Sequence, residues 1–246
     1  MRILIFIVFF SFSLKPCTAQ DSLNRIDQKG LKQGPWRKYF ANGKLRYEGQ
    51  FLNDKPSGTF KYYQETGELK MISAYADLGR KARSQGFDLK GRLISSGNYL
   101  DQQKDSVWTY YGEQKNVIAR EVYNKGKRTG VWISYYPGGQ VSEEITYRDD
   151  IKDGAWKQYF ENGKPMLNAT YINNKLEGKM TIYFPNGEVR QSGFYKQDAR
   201  EGLWHTFKEN GALKESVRYR KGLSDKPDEI KLKPLNKPES EILQGP

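Results

Sequence analysis

The sequence predicts an all-β fold: an elongated single-layer meander of repeated β-hairpins, about sixteen strands in one sheet. Three observations carry this. First, the stretch Gly154-Ala-Trp-Lys-Gln-Tyr-Phe-Glu-Asn-Gly163 returns every 24 residues through eight copies with no insertion. With its leading residue counted as position 0, that position holds Gly34, Gly58, Ala82, Ser106, Gly130, Gly154, Gly178 and Gly202. Second, aromatic residues keep phase with the period. All the tryptophans (Trp36, Trp108, Trp132, Trp156 and Trp204) stand at +2. Position +5 holds Tyr39, Tyr63, Phe87, Tyr111, Tyr135, Tyr159, Tyr183 and Phe207, and +17 is aromatic from Phe51 to Tyr219. Third, short alternating runs flank a glycine at +9 in every copy but the fourth, which has Lys115. Alternation on both sides of a tight turn is the mark of a half-buried hairpin.

The elements follow in chain order. Met1-Arg2 precedes an apolar run from Ile3 to Phe10, and Thr18-Ala19 closes the segment with small residues before Gln20. Residues 1–19 therefore read as a secretory signal peptide, too short and wrongly flanked to span a membrane. Lys15 and Pro16 before Cys17 fit a lipoprotein signal badly. Cys17 is the only cysteine, so a chain cut after Ala19 has no disulfide and no thiolate metal site. Residues 20–33 are a polar lead-in or cap, with Ile26 and Leu31 available for docking. Terminal units of repeat proteins are commonly atypical in this way.

Residues 34–225 are the eight repeats. Asn-Gly at 42–43, 162–163, 186–187 and 210–211 predicts a two-residue type I′ turn, which needs φ > 0 at both residues. In that register facing positions sum to 17, so Trp at +2 lies opposite +15, which is Gly49, Gly97, Ala169 or Gly193 in several copies. Positions +2, +6, +11, +15 and +17 then share one apolar face. The +5 aromatic row lies on the other, among Lys, Arg, Thr and Gln. The connectors, such as Asn53–Ser57 and Asn173–Glu177, are short enough only for antiparallel neighbours. Strands ~4.8 Å apart would extend on the order of 75 Å, and an open sheet of that length twists, its tryptophan face inward. Repeat three, with Ala82 and Ser84, and repeat four, without its turn glycine, are the expected weak or bent segment. Residues 226–246, with Pro227, Pro234, Pro238 and Pro246 among mixed charges, read as a disordered tail.

The pattern Gly-x-Trp-x-x-Tyr-Tyr/Phe-x-Asn-Gly, followed by Gly-x-Tyr, resembles the MORN-variant repeat, in particular the bacterial group labelled YwqK-type antitoxins. The resemblance covers residues 34–225. It implies a repeat sheet, and for the YwqK group an antitoxin or immunity role.

The residues themselves point away from an enzyme. The one histidine, His205, has no nucleophile and orienting group converging with it. Asp149, Asp150 and Asp153 lie in a connector between basic residues and lack calcium-loop spacing. The glycines follow a hairpin period and open no helix, so no phosphate loop is present. No catalytic residue, metal ligand or cofactor is expected. The net charge is +12, and losing Arg2 and Lys15 with the leader leaves +10. Its spread through all repeats predicts at most weak binding to anionic surfaces. Nucleic acid is not expected for an exported chain, nor is a transmembrane segment after cleavage. The expected function is a non-enzymatic, exported scaffold, in the envelope or outside the cell, with a protein partner. The candidate interaction or core ladder is Trp36, Trp108, Trp132, Trp156 and Trp204 with Tyr39, Tyr63, Tyr111, Tyr135, Tyr159 and Tyr183. A second reading makes the ladder a platform for glycans or choline, because aromatic faces bind sugars and cations.

Overall fold

The structure, a computed structural model, describes residues 22–225. The expected signal peptide, residues 1–19, and the expected disordered tail, residues 226–246, lie outside the described residues. Eight hairpins follow one another: Lys32–Tyr39 with Leu45–Leu52, Lys55–Tyr63 with Leu69–Ala76, Lys81–Phe87 with Leu93–Leu100, and Gln103–Tyr111 with Val117–Asn124. Then come Gly130–Tyr135 with Val141–Arg148, Ile151–Tyr159 with Pro165–Ile172, Gly178–Tyr183 with Val189–Lys196, and Ala199–Phe207 with Leu213–Arg220. Every pairing is antiparallel and each hairpin pairs with the next, so the sheet is one open meander.

Among the described residues the strands number twenty, more than the expected sixteen. The lead-in adds Arg25–Ile26, and Leu223–Ser224 closes the last hairpin. Two strands are split just before their leading glycine, giving Lys127–Arg128 and Lys175–Leu176 as separate short pieces.

The turn chemistry is the reverse of the expectation. At the Asn-Gly tips only the glycine is left-handed, as at Gly163 (φ 78°). Gly163 N–H bonds the Phe160 carbonyl at 2.8 Å, and Phe160 N–H bonds the Lys164 carbonyl at 2.9 Å. This is a three-residue loop ending in a glycine bulge. The asparagine serves through its side chain: Asn162 Oδ1 accepts from Lys164 N–H at 3.0 Å, and Asn162 Nδ2 donates to the Pro185 carbonyl of the next tip at 3.3 Å. In repeat four Lys115 takes the left-handed position itself, at φ 63°. The type I′ signature sits instead in the connectors, where both central residues have positive φ: Asn53-Asp54, Asp149-Asp150, Asn173-Asn174 and Gln197-Asp198.

Register agrees with the sequence over the body of each hairpin, where Gly154 faces Tyr171 and Trp156 faces Ala169. Near the tip one residue is unpaired, so Tyr159 faces Pro165 and Tyr39 faces Leu45. Position +11 thus lies across from +5, not +6. A second irregularity explains the leading glycine. Residues 202–204 together face the single Gly193, because Ser192 pairs with His205 and Phe194 with Glu201. The bulged chain turns left-handed at position 0, at Gly202 (φ 69°) and at Ser106 (φ 59°). Glycine reaches that region without the Cβ clash other residues meet.

Repeat three solves the same junction differently. Ala82 is not left-handed, and Lys81–Phe87 pairs with Leu69–Ala76 without a shift from Ala76↔Lys81 to Met71↔Gly86. The two extra residues move into a four-residue connector, 77–80. The segment expected to be weak has the most regular pairing at any junction between hairpins.

Candidate functional site

The tryptophan row occupies one face with the +17 aromatics, and at several repeats it is packed as tightly as a core. Phe60 and Trp204 are 2% exposed and Trp108 is 4% exposed, although no second layer covers them. The reason is interlocking between repeats. The ring at +2 lies on the glycine at +15 of the preceding repeat: Phe60 on Gly49, Trp108 on Gly97 and Trp204 on Gly193. A Cβ on Gly193 would meet Trp204 Cδ2 at 2.2 Å. The sequence placed the glycine across from the tryptophan of its own hairpin, whereas the glycine makes room for the ring of the next one. The +17 aromatics fill the gaps edge-on, as in Tyr99–Trp108 (4.9 Å, 76°) and Tyr195–Trp204 (5.2 Å, 88°). Such pairs add ~0.5–1.5 kcal/mol each beyond their buried area. The +16 carbonyl, beside the bulge at position 0, also accepts from the indole N–H of the next repeat. Trp108 Nε1 donates to Asn98 O (2.9 Å), Trp132 Nε1 to Val122 O (3.0 Å) and Trp204 Nε1 to Phe194 O (3.1 Å). Trp36, in the first repeat, has no earlier repeat to supply that carbonyl, and its buried Nε1 has no partner among the described residues.

A row of cations at +22 caps the ladder. Lys32 lies over Trp36 and Phe51, Lys104 over Trp108 and Tyr123, Arg128 over Trp132 and Tyr147, and Arg200 over Trp204 and Tyr219. The Arg200 guanidinium is 4.3 Å from the Trp204 ring centre. Lys152 stands 5.0 Å from Tyr171. Cation–π contacts of this kind contribute about 0.5–2 kcal/mol according to desolvation. Burial pushes the Lys104 ammonium below its ordinary pKa, while Glu121 opposes the shift. Sequence reading missed this row. Its signal was the same 24-residue period, applied to the connectors rather than the strands.

The +5 tyrosines stand on the opposite face and bind repeats together through their hydroxyls. Tyr63 OH donates to Glu48 Oε1 (3.0 Å), Tyr111 OH pairs with Ser96 Oγ (3.1 Å), Tyr159 OH donates to Glu144 Oε2 (3.2 Å), and Asn168 Nδ2 donates to Tyr183 OH (3.2 Å). Each partner is at +14 of the preceding repeat. Tyr135 instead has the Arg120 guanidinium over its ring at 5.9 Å, and Tyr39 is 48% exposed. The Tyr63 and Tyr159 hydroxyls are pushed up in pKa by burial first and then by their glutamates.

One place on the ladder face is open. Between the fifth and sixth repeats a cavity of about 310 Å³ is walled by Trp132, Trp156, Tyr147 and Tyr171. Glu121, Glu143, Ser134 and Lys152 also line it. Trp132 and Trp156 are only half-buried, unlike Trp108 and Trp204. Glu121 is 8% exposed and accepts from Tyr123 OH at 2.8 Å. Glu143 Oε1 accepts from Trp156 Nε1 (2.8 Å) and Gln158 Nε2 (3.0 Å). The sequence singled out the tryptophans here but neither glutamate, because each is one acidic residue in a repeat full of charged residues.

The remaining candidates are structural. His205 Nδ1 pairs with Ser216 Oγ at 2.8 Å. Asp150 accepts from Arg128 N–H and Nε at 3.0 and 3.1 Å, and these contacts hold its carboxyl below the usual range. Among the described residues no group of three His, Cys, Asp or Glu side chains is placed to hold a metal ion. No helix among them is long and apolar enough to cross a membrane.

Together the open meander, the fixed 24-residue unit and the inter-repeat ladder define a β-repeat protein of the single-layer type. Four stretches, residues 32–53, 128–149, 152–173 and 176–197, match the MORN repeat variant. These four repeats are of the MORN-variant type. No curated protein matches it. Among solved structures it is similar to TarM, at 11% identity and a TM-score of 0.30, covering 38% of this chain and 20% of that one. It is also similar to a TcdB2-TccC3-Cdc42 complex chain (14% identity, TM-score 0.22, covering 73% of this chain and 13% of that one). A porin-like protein from Bacteroides uniformis ATCC 8492 gives 11% identity and a TM-score of 0.19, covering 76% of this chain and 90% of that one. At these scores the likenesses carry no argument about function.

Proposed function

We propose that this protein is a non-enzymatic, exported binding scaffold that engages a protein partner through the face opposite the ladder. One observation carries the reading. That face repeats exposed apolar side chains near the connector end: Leu52 (53%), Val107 (49%), Val131 (43%), Phe194 (54%) and Leu203 (43%). Apolar side chains recurring along one face mark an interaction surface more often than an isolated one does. The ladder face, by contrast, spends its rings on neighbouring repeats. An immunity role is the same scaffold with a toxin as its partner. Binding to anionic surfaces is weak in this reading, since five of the +22 cations already sit over the protein's own rings.

The test is capture from envelope fractions with the wild-type chain and with Val131→Glu/Leu203→Glu. A specific protein retained by the wild type and released by the variant is expected. Equal capture by both would overturn the reading. N-terminal mass spectrometry checks export separately: the mature chain should begin at Gln20, and an acylated Cys17 would refute that.

A further inference from the structure

We propose that the cavity between the fifth and sixth repeats is a binding site for one or two rings of a neutral saccharide. The proposal goes beyond the scaffold reading, which uses the other face, and each can fail without the other.

Ser134, at position +4 on the ladder face, leaves room in the wall of the cavity; the same position is Tyr62, Tyr110, Gln158 or Ile182 in four other repeats, and Lys38, Gly86 or Thr206 in the remaining three. Its volume, about 310 Å³, lies at the low end for small-molecule sites. Aromatic walls with a few fixed polar groups are the usual make-up of such sites. Here the polar groups are immobilised in advance: Glu121 by Tyr123, and Glu143 by Trp156 and Gln158. A site whose groups are already held loses little freedom when it binds.

Charge selects the ligand class. The lining carries two carboxylates, Glu121 and Glu143, and two cations, Lys152 and Arg120. Arg128 adds a guanidinium 4.7 Å from the Tyr147 ring centre, and Lys152 already stands over Tyr171. A cationic ligand would meet rings that hold cations. An anionic one would meet the buried Glu121. Either meets a group of its own sign already held in or beside the lining, which weakens its binding. A neutral polyol meets neither obstacle. Its hydroxyls donate to the carboxylates and accept from the Lys152 ammonium, while its C–H face lies on an indole.

The test titrates the whole chain with the N-acetylglucosamine trimer and with maltotriose, read by tryptophan fluorescence and saturation-transfer NMR. Choline chloride is the cationic comparison. The two sugars separate an N-acetylated source from an unmodified one, and saturable binding of either supports the proposal. Ser134→Ile places in the cavity the residue repeat seven has at that position. It should weaken binding at least about tenfold with no fall in the unfolding midpoint. Glu143→Gln keeps the side-chain size and should weaken binding in the same direction, so the proposal stays testable if Ser134→Ile folds poorly. Three results would overturn it: no saturable sugar binding at millimolar concentration, equal binding by wild type and both variants, or binding of choline in place of the sugars.

Discussion

The junction between repeats two and three and the junction between repeats seven and eight fill the same slot in opposite ways. At the later junction the slot holds Gly193 under the Trp204 ring, with a bulge at Gly202 and the indole N–H on the Phe194 carbonyl. At the earlier junction it holds Ser73 and Ser84, each 1% exposed, joined by a 2.7 Å hydroxyl pair. There the strand pairing runs straight, and Tyr62 and Tyr75 close over the ladder with a 2.8 Å hydroxyl contact. At these two junctions glycine, bulge and tryptophan are kept or lost together, and where all three are lost a buried hydrogen bond takes their place. At the fifth and sixth repeats the tryptophan persists with Glu121 and Ile145 in the glycine slot. Mixed states should be worse than either pure one.

The largest test removes the ring. Trp204→Ala should cost about 3–5 kcal/mol, as large aromatic core truncations do. Trp132→Ala, at a half-buried ring beside a cavity, should cost less. Denaturant titration of both variants decides this, and equal losses would show that the ladder is not graded by burial. Next, Ser84→Trp forces a ring onto the Ser73 side chain and should cost roughly 1–3 kcal/mol through overpacking. Adding Ser73→Gly should recover part of that loss. A strictly additive double variant would break the link between the two positions, because residues in contact couple by ~0.5–3 kcal/mol. Smaller still, Gly202→Ala places a side chain at φ 69° and should cost about 1–2 kcal/mol. Ala82→Gly relieves no strain and should cost about 0.5–1 kcal/mol through lost chain restriction alone. Thermal unfolding midpoints would rank the pair.

The smallest effect is in pH. Burial, together with the hydroxyl contact to Tyr75, raises the pKa of Tyr62. Burial and Glu121 raise those of Tyr110 and Tyr123. A pKa raised in the folded state gives stability that is intact below the unfolded tyrosine value of about 10 and is lost as pH rises above it. Unfolding midpoints should therefore fall above about pH 10. Tyr62→Phe should blunt that fall, and an unchanged alkaline slope would count against the assignment.

Much of this was legible in the sequence. The period set the fold, the register over the body of each hairpin and the identity of the buried face, because a phase-locked tryptophan points to the same face in every repeat. What the sequence hid were choices between local solutions of similar energy. Asn-Gly and Asn-Asp both allow left-handed turns, and only the neighbouring tip and connector decide which one adopts the two-residue form. The link from Trp108 to Gly97 crosses a repeat boundary, where facing positions within one hairpin give no guide. Ser84 looked like decay of the pattern because its partner, Ser73, is a compensating change 11 residues earlier.

The tips and connectors form two stitched rims along the sheet, as in Asn42 Nδ2 to Glu65 O, Asn186 Nδ2 to Glu209 O, and Asp198 N–H to Leu176 O. Among the described residues no hydrogen bond in these rims joins positions more than 23 apart. Sheet proteins commonly fold slowly because distant strands must find one another. Here every strand's partner is the next one to be made. The chain can close its sheet from the amino end onward, in the order of synthesis, with each finished hairpin serving as the template for its successor.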